Sequence, residues 1–266
     1  MADGHEIRLV VTRPDKRRGR GGHLMPSPVK AAALELGLSV TDRIDDAIGA
    51  GAELGVVVAF GRLIKPHVLD ALPMVNMHFS LLPRWRGAAP LERAILAGDT
   101  ETGVCLMELE EGLDTGPVYD CVRIDIGREE TADELRGRLV AAGTDLLLAR
   151  LREGLGTPTP QSGEATYAEK IEPDEHNLDW TKPASELHRV VRLGDAWTTF
   201  RGKRLKILRA TLAGDGLEPG AVDGLRVGAG EGALELVQVQ PEGKGPMAAA
   251  DWRNGARPAH GERLGE

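Results

Sequence analysis

The sequence predicts an α/β domain, with a mostly parallel sheet and flanking helices, followed by a smaller β-rich domain. Short apolar runs alternate with helix-like segments up to residue 151, a pattern typical of parallel sheets covered by helices. A stretch rich in Gly, Pro and Thr, residues 154–162, then interrupts the alternation. Beyond it, short strand-like runs separated by glycine-rich turns favour a small β-barrel.

The elements of the first half are predicted from apolar runs and from helix-end signals. Ser27 followed by proline is typical of a helix N-cap and first turn, and Gly37 and Gly98 are typical of helix ends. Thr131 and Glu134 have the spacing of a capping box that opens a long helix. The predicted strands are residues 7–11, 55–60, 74–78, 103–109 and 118–124, and the predicted helices are residues 28–37, 66–72, 90–98 and 132–151.

The second half is predicted to hold one helix and three strands. The helix covers residues 183–193, and the strands cover residues 205–212, 221–227 and 233–239. The predicted limits are residues 1–158 for the α/β domain, residues 159–178 for a linker and residues 179–266 for the β-rich domain.

The composition favours a cytoplasmic globular protein. Apolar residues make up 41% of the chain, enough for a packed core. The sequence contains no apolar run of the ~20 residues that a membrane span needs, and no basic-then-apolar secretion signal at its start. Cys105 and Cys121 have neither CxxC nor metal-ligand spacing, so we expect free thiols in a reducing cytosol. A structural disulfide is the alternative.

The net charge of −8 is unevenly distributed. Residues 1–180 carry 20 Lys and Arg against 30 Asp and Glu, whereas residues 181–266 carry 13 against 11. Because salt screens exposed charges beyond ~10 Å, local clusters decide whether an anionic partner is bound. The overall acidity therefore does not exclude RNA.

Three polar residues form the candidate catalytic set. Asn76 and His78 stand two apart at the end of a predicted strand, so their side chains share one side at the edge where open α/β sheets bind ligands. Asp114 follows between Gly112 and Gly116, on a tight turn that could fold back onto the histidine. An amide suits an oxyanion, and an imidazole oriented by a carboxylate moves protons near neutral pH. Without a second His or Cys nearby, no metal is expected.

Longer motifs surround this set. Residues 76–90 are Asn-Met-His-Phe-Ser-Leu-Leu-Pro-Arg-Trp-Arg-Gly-Ala-Ala-Pro, and residues 113–116 are Leu-Asp-Thr-Gly. With these motifs the chain resembles the N10-formyltetrahydrofolate-dependent formyltransferases. Further stretches are similar to the members of that family that formylate methionyl-tRNA, namely residues 20–30, 84–90, 166–170, 179–180 and 240–247.

The resemblance implies a Rossmann-like α/β domain and a C-terminal oligonucleotide-binding-type β-barrel. It implies that a formyl group passes from N10-formyltetrahydrofolate, the co-substrate, to the α-amine of methionyl-initiator tRNA in translation initiation. Asn76, His78 and Asp114 would be the catalytic residues. We expect a monomer whose partners are the tRNA and the folate, with no membrane partner. The implied folate contacts are Phe60, Gly61, Ser80, Leu81, Leu82, Pro83, Glu111 and Gly112.

Two basic groups are candidate tRNA contacts. Arg17, Arg18 and Arg20 lie among glycines on what we expect to be a flexible loop, and the resemblance places this loop at the tRNA acceptor end. In the second group, Lys203, Arg204 and Lys206, the last two share one face of a predicted strand. The alternatives are a solvated charged loop and a charged strand edge that resists aggregation.

The N-terminus departs from the family pattern. The family normally opens with an additional strand, a turn and a helix, whereas only residues 1–6 precede the first predicted strand here. A start codon assigned too late and a genuinely shorter chain would both produce this pattern. Two other functions stay open, a formyltransferase for an amino sugar or purine precursor and a non-catalytic folate- or RNA-binding remnant. The intact catalytic set favours an enzyme over a remnant.

Overall fold

Two compact units, each made from three segments of the chain, organise the structure. The computed structural model describes residues 4–18, 22–214, 216–259 and 261–266. The first unit contains Met1–Ala88, Gly103–Val122 and Ala141–Tyr167, and the second contains Ala89–Thr102, Arg123–Val140 and Ala168–Glu266. No helix of the described residues is both long and apolar enough to cross a bilayer.

Strands and helices alternate through the first 153 residues, as the apolar runs predict. The helix-end signals are confirmed: the Ser27 hydroxyl accepts from the Lys30 amide, and Gly98 ends its helix with a left-handed φ of 75°. The elements are β1 (Val10–Val11), β2 (Lys16–Arg18), β3 (His23–Met25), α1 (Pro28–Glu35), β4 (Val40–Thr41), β5 (Gly55–Val58), α2 (Pro66–Leu69), β6 (Met74–His78), β7 (Arg86–Gly87), α3 (Pro90–Ala97), β8 (Glu101–Glu108), β9 (Val118–Asp125) and α4 (Ala132–Glu153).

The main sheet of the first unit has the strand order β5-β6-β8-β9. The β5–β6 pair is parallel, and β8 runs antiparallel to β6. β1 and β4 form a second, parallel pair. All five residues of β6 are buried, because both neighbouring strands pair with it and side chains cover both faces. β5 is an edge strand, and its Val56 and Val58 are half exposed.

The basic loop is more ordered than the glycine-rich sequence predicts. β2 and β3 pair as an antiparallel hairpin in which Arg17 lies opposite Leu24. The prediction of a flexible loop was therefore wrong for residues 16–18, which form a strand. Residues 19–21, between the two strands, lie outside the described part of the chain.

Cys105 and Cys121 are joined in a disulfide, so the prediction of two free thiols was wrong. The two residues lie on the neighbouring strands β8 and β9, with their Cα atoms 4.2 Å apart. The sequence separation of 16 residues could not reveal this, because proximity arises only when the two strands pair. The closed loop contains the turn that carries Asp114.

The second unit is built around a six-stranded antiparallel sheet. Its order is β11-β12-β15-β14-β13, with β16 on β15. Its buried core includes Trp180, Leu187, Ile207 and Trp252. The elements that follow α4 along the chain are β10 (Tyr167–Ala168), α5 (Ala184–Leu193), β11 (Trp197–Phe200), β12 (Lys203–Ala213), β13 (Val222–Asp223), β14 (Arg226–Gly228), β15 (Ala233–Pro241), β16 (Met247–Ala248) and α6 (Ala249–Ala256).

One predicted strand of this unit was wrong. Residues 221–227 form a hairpin rather than a continuous strand, because Gly224 adopts a left-handed φ of 64° between β13 and β14. A single apolar run does not distinguish a strand from two short strands joined by a tight turn.

A buried cation joins α5 to the chain segment that precedes α4. The Arg192 guanidinium donates to the main-chain oxygens of Glu130 and Gly127 at 2.8 and 2.9 Å. Burial lowers the pKa of Arg192 below its usual range, although the neighbouring carboxylates of Glu129 and Glu130 act in the opposite direction. The carbonyl acceptors satisfy the guanidinium where water is excluded.

We expect Cys121→Ser to lower the free energy of unfolding by about 3 kcal/mol. The disulfide joins residues 16 positions apart, and closing a loop of that length in the unfolded chain stabilises a protein by about this amount. Urea denaturation under non-reducing conditions measures the loss. Wild-type protein with excess reductant is the control and should match the variant. Equal midpoints for the oxidised and reduced wild type would contradict a stabilising disulfide.

The capping box predicts an acid-dependent contribution to stability. Hydrogen bonds from the Thr131 backbone and hydroxyl, then Arg209, lower the pKa of Glu134 to about 2. The folded-state pKa is depressed, so the stabilisation is complete above the unfolded value and is lost as pH falls toward 2. Denaturation of wild type and Glu134→Ala from pH 7 to 2.5 should show a constant difference above about pH 5 that narrows below it. A difference that does not change with pH would refute this contribution.

Candidate active site

β6 delivers Asn76 and His78 to one side of the sheet, as their spacing predicts. Asn76 is opposite Met107 and His78 is opposite Cys105 on β8. Both polar residues are almost completely buried, with 9% and 5% of their surface exposed. Buried polar side chains need hydrogen-bond partners, so their contacts define the site.

Asp114 folds back onto these two residues. Its Oδ2 lies 3.5 Å from His78 Nδ1, and its Oδ1 lies 3.4 Å from Asn76 Nδ2. Both contacts are longer than an optimal hydrogen bond. The Gly87 amide donates to Oδ2 at 2.7 Å and is the shortest contact of the carboxylate among these. The structure thus brings together the three residues that the sequence singled out.

The turn that carries Asp114 has an unusual backbone. Asp114 has a φ of 50°, the left-handed region that residues with a side chain rarely adopt. Two residues later, a Cβ on Gly116 would lie only 2.0 Å from the Glu108 main-chain oxygen, so this position requires glycine. The glycine of the Leu-Asp-Thr-Gly motif therefore permits close approach of two chain segments.

The second ring nitrogen of His78 faces a carbonyl. Nε2 lies 2.7 Å from the Trp85 main-chain oxygen. A carbonyl oxygen only accepts, so Nε2 must carry a proton in this arrangement. A second proton on Nδ1 would face the Asp114 carboxylate. The imidazole therefore connects the acid to the loop of residues 80–87.

The loop of residues 80–87 is bound at several points. The buried Ser80 hydroxyl donates to the Arg84 oxygen at 2.6 Å, and the Arg84 guanidinium stacks 4.5 Å from the centre of the Trp85 ring. The Trp85 amide donates to the Thr166 hydroxyl at 2.9 Å, and the Arg86 amide donates to the Thr166 oxygen at 2.8 Å. Residues near 166 therefore support the site, although the sequence assigned them no role.

Sequence reasoning also missed Gln161. Its side chain donates to the main-chain oxygens of Asp114 and Gly116 and accepts from Arg86. The residue lies at the start of the predicted linker, where local composition indicates only a break in regular structure. No local pattern could have identified it, because its partners lie 45 or more residues away.

Comparison with known proteins places this site in a family. A family model described as formyl transferase matches residues 2–151, and one described as formyl transferase, C-terminal domain, matches residues 170–257. The chain belongs to the formyl transferase family. The structure thus has the two domain types of this family, an α/β domain of Rossmann type and a β-rich C-terminal domain.

Individual relatives are similar over nearly the whole chain. The methionyl-tRNA formyltransferase of Methylobacterium nodulans is 45% identical over 291 residues, covering 99% of this chain and 93% of the relative. That of Roseobacter denitrificans is 46% identical and covers 96% of this chain and 90% of the relative. A solved N-formyltransferase from Helicobacter canadensis, in complex with folinic acid and dTDP-3-aminofucose, has a TM-score of 0.59 at 20% identity, covering 79% of this chain and 81% of that chain. This last likeness shows the fold.

The residues predicted to contact folate lie after β5, in the loop of residues 80–87 and in the turn of Asp114. Phe60 and Gly61 follow β5, and the Arg62 guanidinium lies 4.6 Å from the centre of the Phe60 ring. Glu111 and Gly112 belong to the turn of Asp114 and are exposed. The remaining predicted contacts belong to the loop of residues 80–87, and they are Ser80, Leu81, Leu82 and Pro83. Their role in folate binding stays a prediction.

The predicted tRNA contacts differ in their environment. Arg17 is exposed and donates to the Gly22 oxygen at 2.9 Å. Arg20 lies outside the described residues, and for Arg18 only its backbone position in β2 is described. Among the described residues, no group of three or more His, Cys, Asp or Glu is arranged to hold a metal ion.

The second basic group lies on β12 and is partly compensated by neighbouring side chains. Lys206 pairs with Asp195 at 2.5 Å, and the Arg204 guanidinium lies 4.3 Å from the centre of the Trp197 ring. The hydrogen bond from Lys206 lowers the pKa of the Asp195 carboxyl below its usual value. Lys203 is exposed at the start of the strand. Binding of a phosphate by Lys206 would have to compete with this carboxylate.

Proposed function

We propose that the protein transfers the formyl group of N10-formyltetrahydrofolate to the α-amine of methionyl-initiator tRNA. The observation that carries the proposal is the convergence of Asn76, His78 and the Asp114 carboxylate in a buried site. Membership of the formyl transferase family and 45% identity to a methionyl-tRNA formyltransferase support the same reaction. The acceptor tRNA and the folate are thus the proposed partners, and the proposed location is the cytoplasm, where initiator tRNA is charged.

Formyl transfer requires groups that move protons and a group that stabilises the oxyanion of the intermediate. The amine nitrogen forms a bond to the formyl carbon, the bond from that carbon to folate N10 breaks, one proton leaves the amine and N10 gains one. The intermediate carries an oxyanion on the former carbonyl oxygen. We assign the Asn76 amide as a donor to this oxyanion, because a neutral N–H₂ group stabilises the charge without an initial ion pair.

His78 and Asp114 are assigned to proton transfer. His78 Nε2 carries a proton that the Trp85 carbonyl accepts. In the reaction this N–H would turn from that carbonyl to the developing oxyanion. Asp114, within 3.5 Å of the other ring nitrogen, would orient His78 and accept the proton of the amine directly or through a water. The proton then passes to N10 as the folate leaves.

The competing reaction is formyl transfer to an amino sugar or a purine precursor, with the same three residues. Each unit carries a basic group, on the β2–β3 hairpin and on β12, and these groups favour an RNA acceptor, since RNA offers many phosphates to bind. The non-catalytic remnant is disfavoured by the candidate catalytic set, because the Asn76 and His78 side chains each lie within 3.5 Å of the Asp114 carboxylate. A remnant needs no such geometry.

Asn76→Ala, His78→Ala and Asp114→Ala are each expected to lower kcat by about 10²–10³-fold, the usual cost of removing an oxyanion donor or a proton-transfer group. Formylation of charged initiator tRNA by the pure protein measures the rate, and circular dichroism checks folding. Arg43→Ala, on an exposed side chain of the first unit, is the matched control. Wild-type rates in all three folded variants would overturn the assigned roles.

Salt dependence separates RNA from a small acceptor. If three phosphates are contacted, a rise from 50 to 200 mM salt should weaken tRNA binding about 40-fold, whereas the affinity for a small acceptor should change much less. We expect Lys203→Ala to reduce the slope of log K against log salt by about 0.9. Fluorescence titration with initiator tRNA at several salt concentrations gives the slope for the wild type and for Lys203→Ala. A flat salt dependence would instead indicate the small-molecule acceptor.

A further inference from the structure

We propose that Gln161 is the positioning residue that holds Asp114 in its working conformation. This inference rests on the proposed function, since it concerns the carboxylate assigned there. Gln161 is half-buried and belongs to none of the strands or helices. Its contacts join the turn of Asp114 to the loop that contains Arg86.

One end of the Gln161 amide binds the turn. Nε2 donates to the main-chain oxygen of Asp114 and to that of Gly116, each at 2.8 Å. An amide NH₂ group has two hydrogens, so these two bonds use its full donor capacity. Because Asp114 has a left-handed φ of 50°, the turn needs external contacts to stay in this conformation. The two bonds from Gln161 supply them on both sides of Thr115.

The other end of the amide is fixed by a cation. Arg86 donates to Gln161 Oε1 through Nε at 3.1 Å and through a terminal nitrogen at 2.6 Å. The reversed amide would place an N–H₂ group against the guanidinium and an oxygen against two carbonyls, so only one orientation satisfies all four contacts. The bonds from Arg86 to Oε1 therefore direct the NH₂ end of Gln161 toward the turn.

The same link reaches the Asp114 carboxylate by a second route. Arg86 precedes Gly87, whose amide donates to Asp114 Oδ2 at 2.7 Å. Gln161 thus connects the segment that holds the main chain of Asp114 with the segment that holds its carboxylate. None of the described contacts joins the Gln161 side chain to Asn76 or His78. It acts through Asp114, and its loss should affect the chemical step rather than substrate binding.

The first test separates positioning from binding. We expect Gln161→Ala to lower kcat by about 10–100-fold, since a displacement of about 1 Å at a reacting group costs rate on this scale. KM for tRNA and for folate should change less than about threefold. Gln161→Glu keeps an acceptor for Arg86 but loses both donors, so its kcat should fall at least as far. Ser162→Ala, exposed and next in sequence, is the control with wild-type kcat.

A double-mutant cycle tests whether Gln161 acts through Asp114. In the Asp114→Ala background, Gln161→Ala should lower kcat by less than about twofold, because the carboxylate that Gln161 positions is absent. An undiminished 10–100-fold cost in that background would overturn the proposal, and so would a wild-type kcat in Gln161→Ala or a full kcat in Gln161→Glu.

A readout independent of activity keeps this inference separate from the proposed function. If Gln161 holds Asp114 against Gly87, Gln161→Ala should speed hydrogen exchange of the Gly87 amide by about tenfold or more, and Asp114→Ala should do the same. If Gln161→Ala exchanges faster but the wild-type protein has no formyl transfer activity, the positioning role of Gln161 is supported and the proposed function is refuted. Unchanged exchange in Gln161→Ala would refute the positioning role of Gln161, whatever the activity.

Discussion

The Asp114 carboxylate is the interaction on which the candidate site depends. It lies within 3.5 Å of groups from β6 and accepts the Gly87 amide, although these segments are distant along the chain. A carboxylate with so little exposure, 12% of its side chain, must find donors inside the protein. The left-handed backbone of Asp114 and the glycine at 116 allow the turn to come this close.

The neighbouring strands β8 and β9 set the position of this turn. β8 pairs with β6 in a register that places Cys105 opposite His78, and the disulfide ties β8 to β9 at this level of the sheet. The turn of Asp114 is thus anchored covalently at its base and by hydrogen bonds at its tip. Such a frame limits the movement of the Asp114 carboxylate beside the His78 imidazole, as the proposed catalytic roles would require.

The second unit shows why net charge predicts little about a binding surface. Its basic side chains are accompanied by carboxylates and aromatic rings: Arg201 pairs with Glu262, and Lys206 pairs with Asp195. Arg201 and hydrogen bonds lower the pKa of Glu262 to about 2, so these carboxylates stay charged near neutral pH. If RNA bound to this unit as proposed, a phosphate would replace one anionic partner by another, which would favour selectivity over strength.

Local sequence by itself predicted the helix ends, the buried strands and three residues of the candidate site. Ser27, Gly98 and the Thr131–Glu134 box act within a few residues, and Asn76 and His78 need only the two-residue period of a strand. The tertiary structure alone decided which distant residues meet. It paired Cys105 with Cys121, brought Trp85 to His78 and placed Gln161 against the turn of Asp114. These contacts join segments up to 47 residues apart, and their formation depends on strand register and loop closure, which no local pattern encodes.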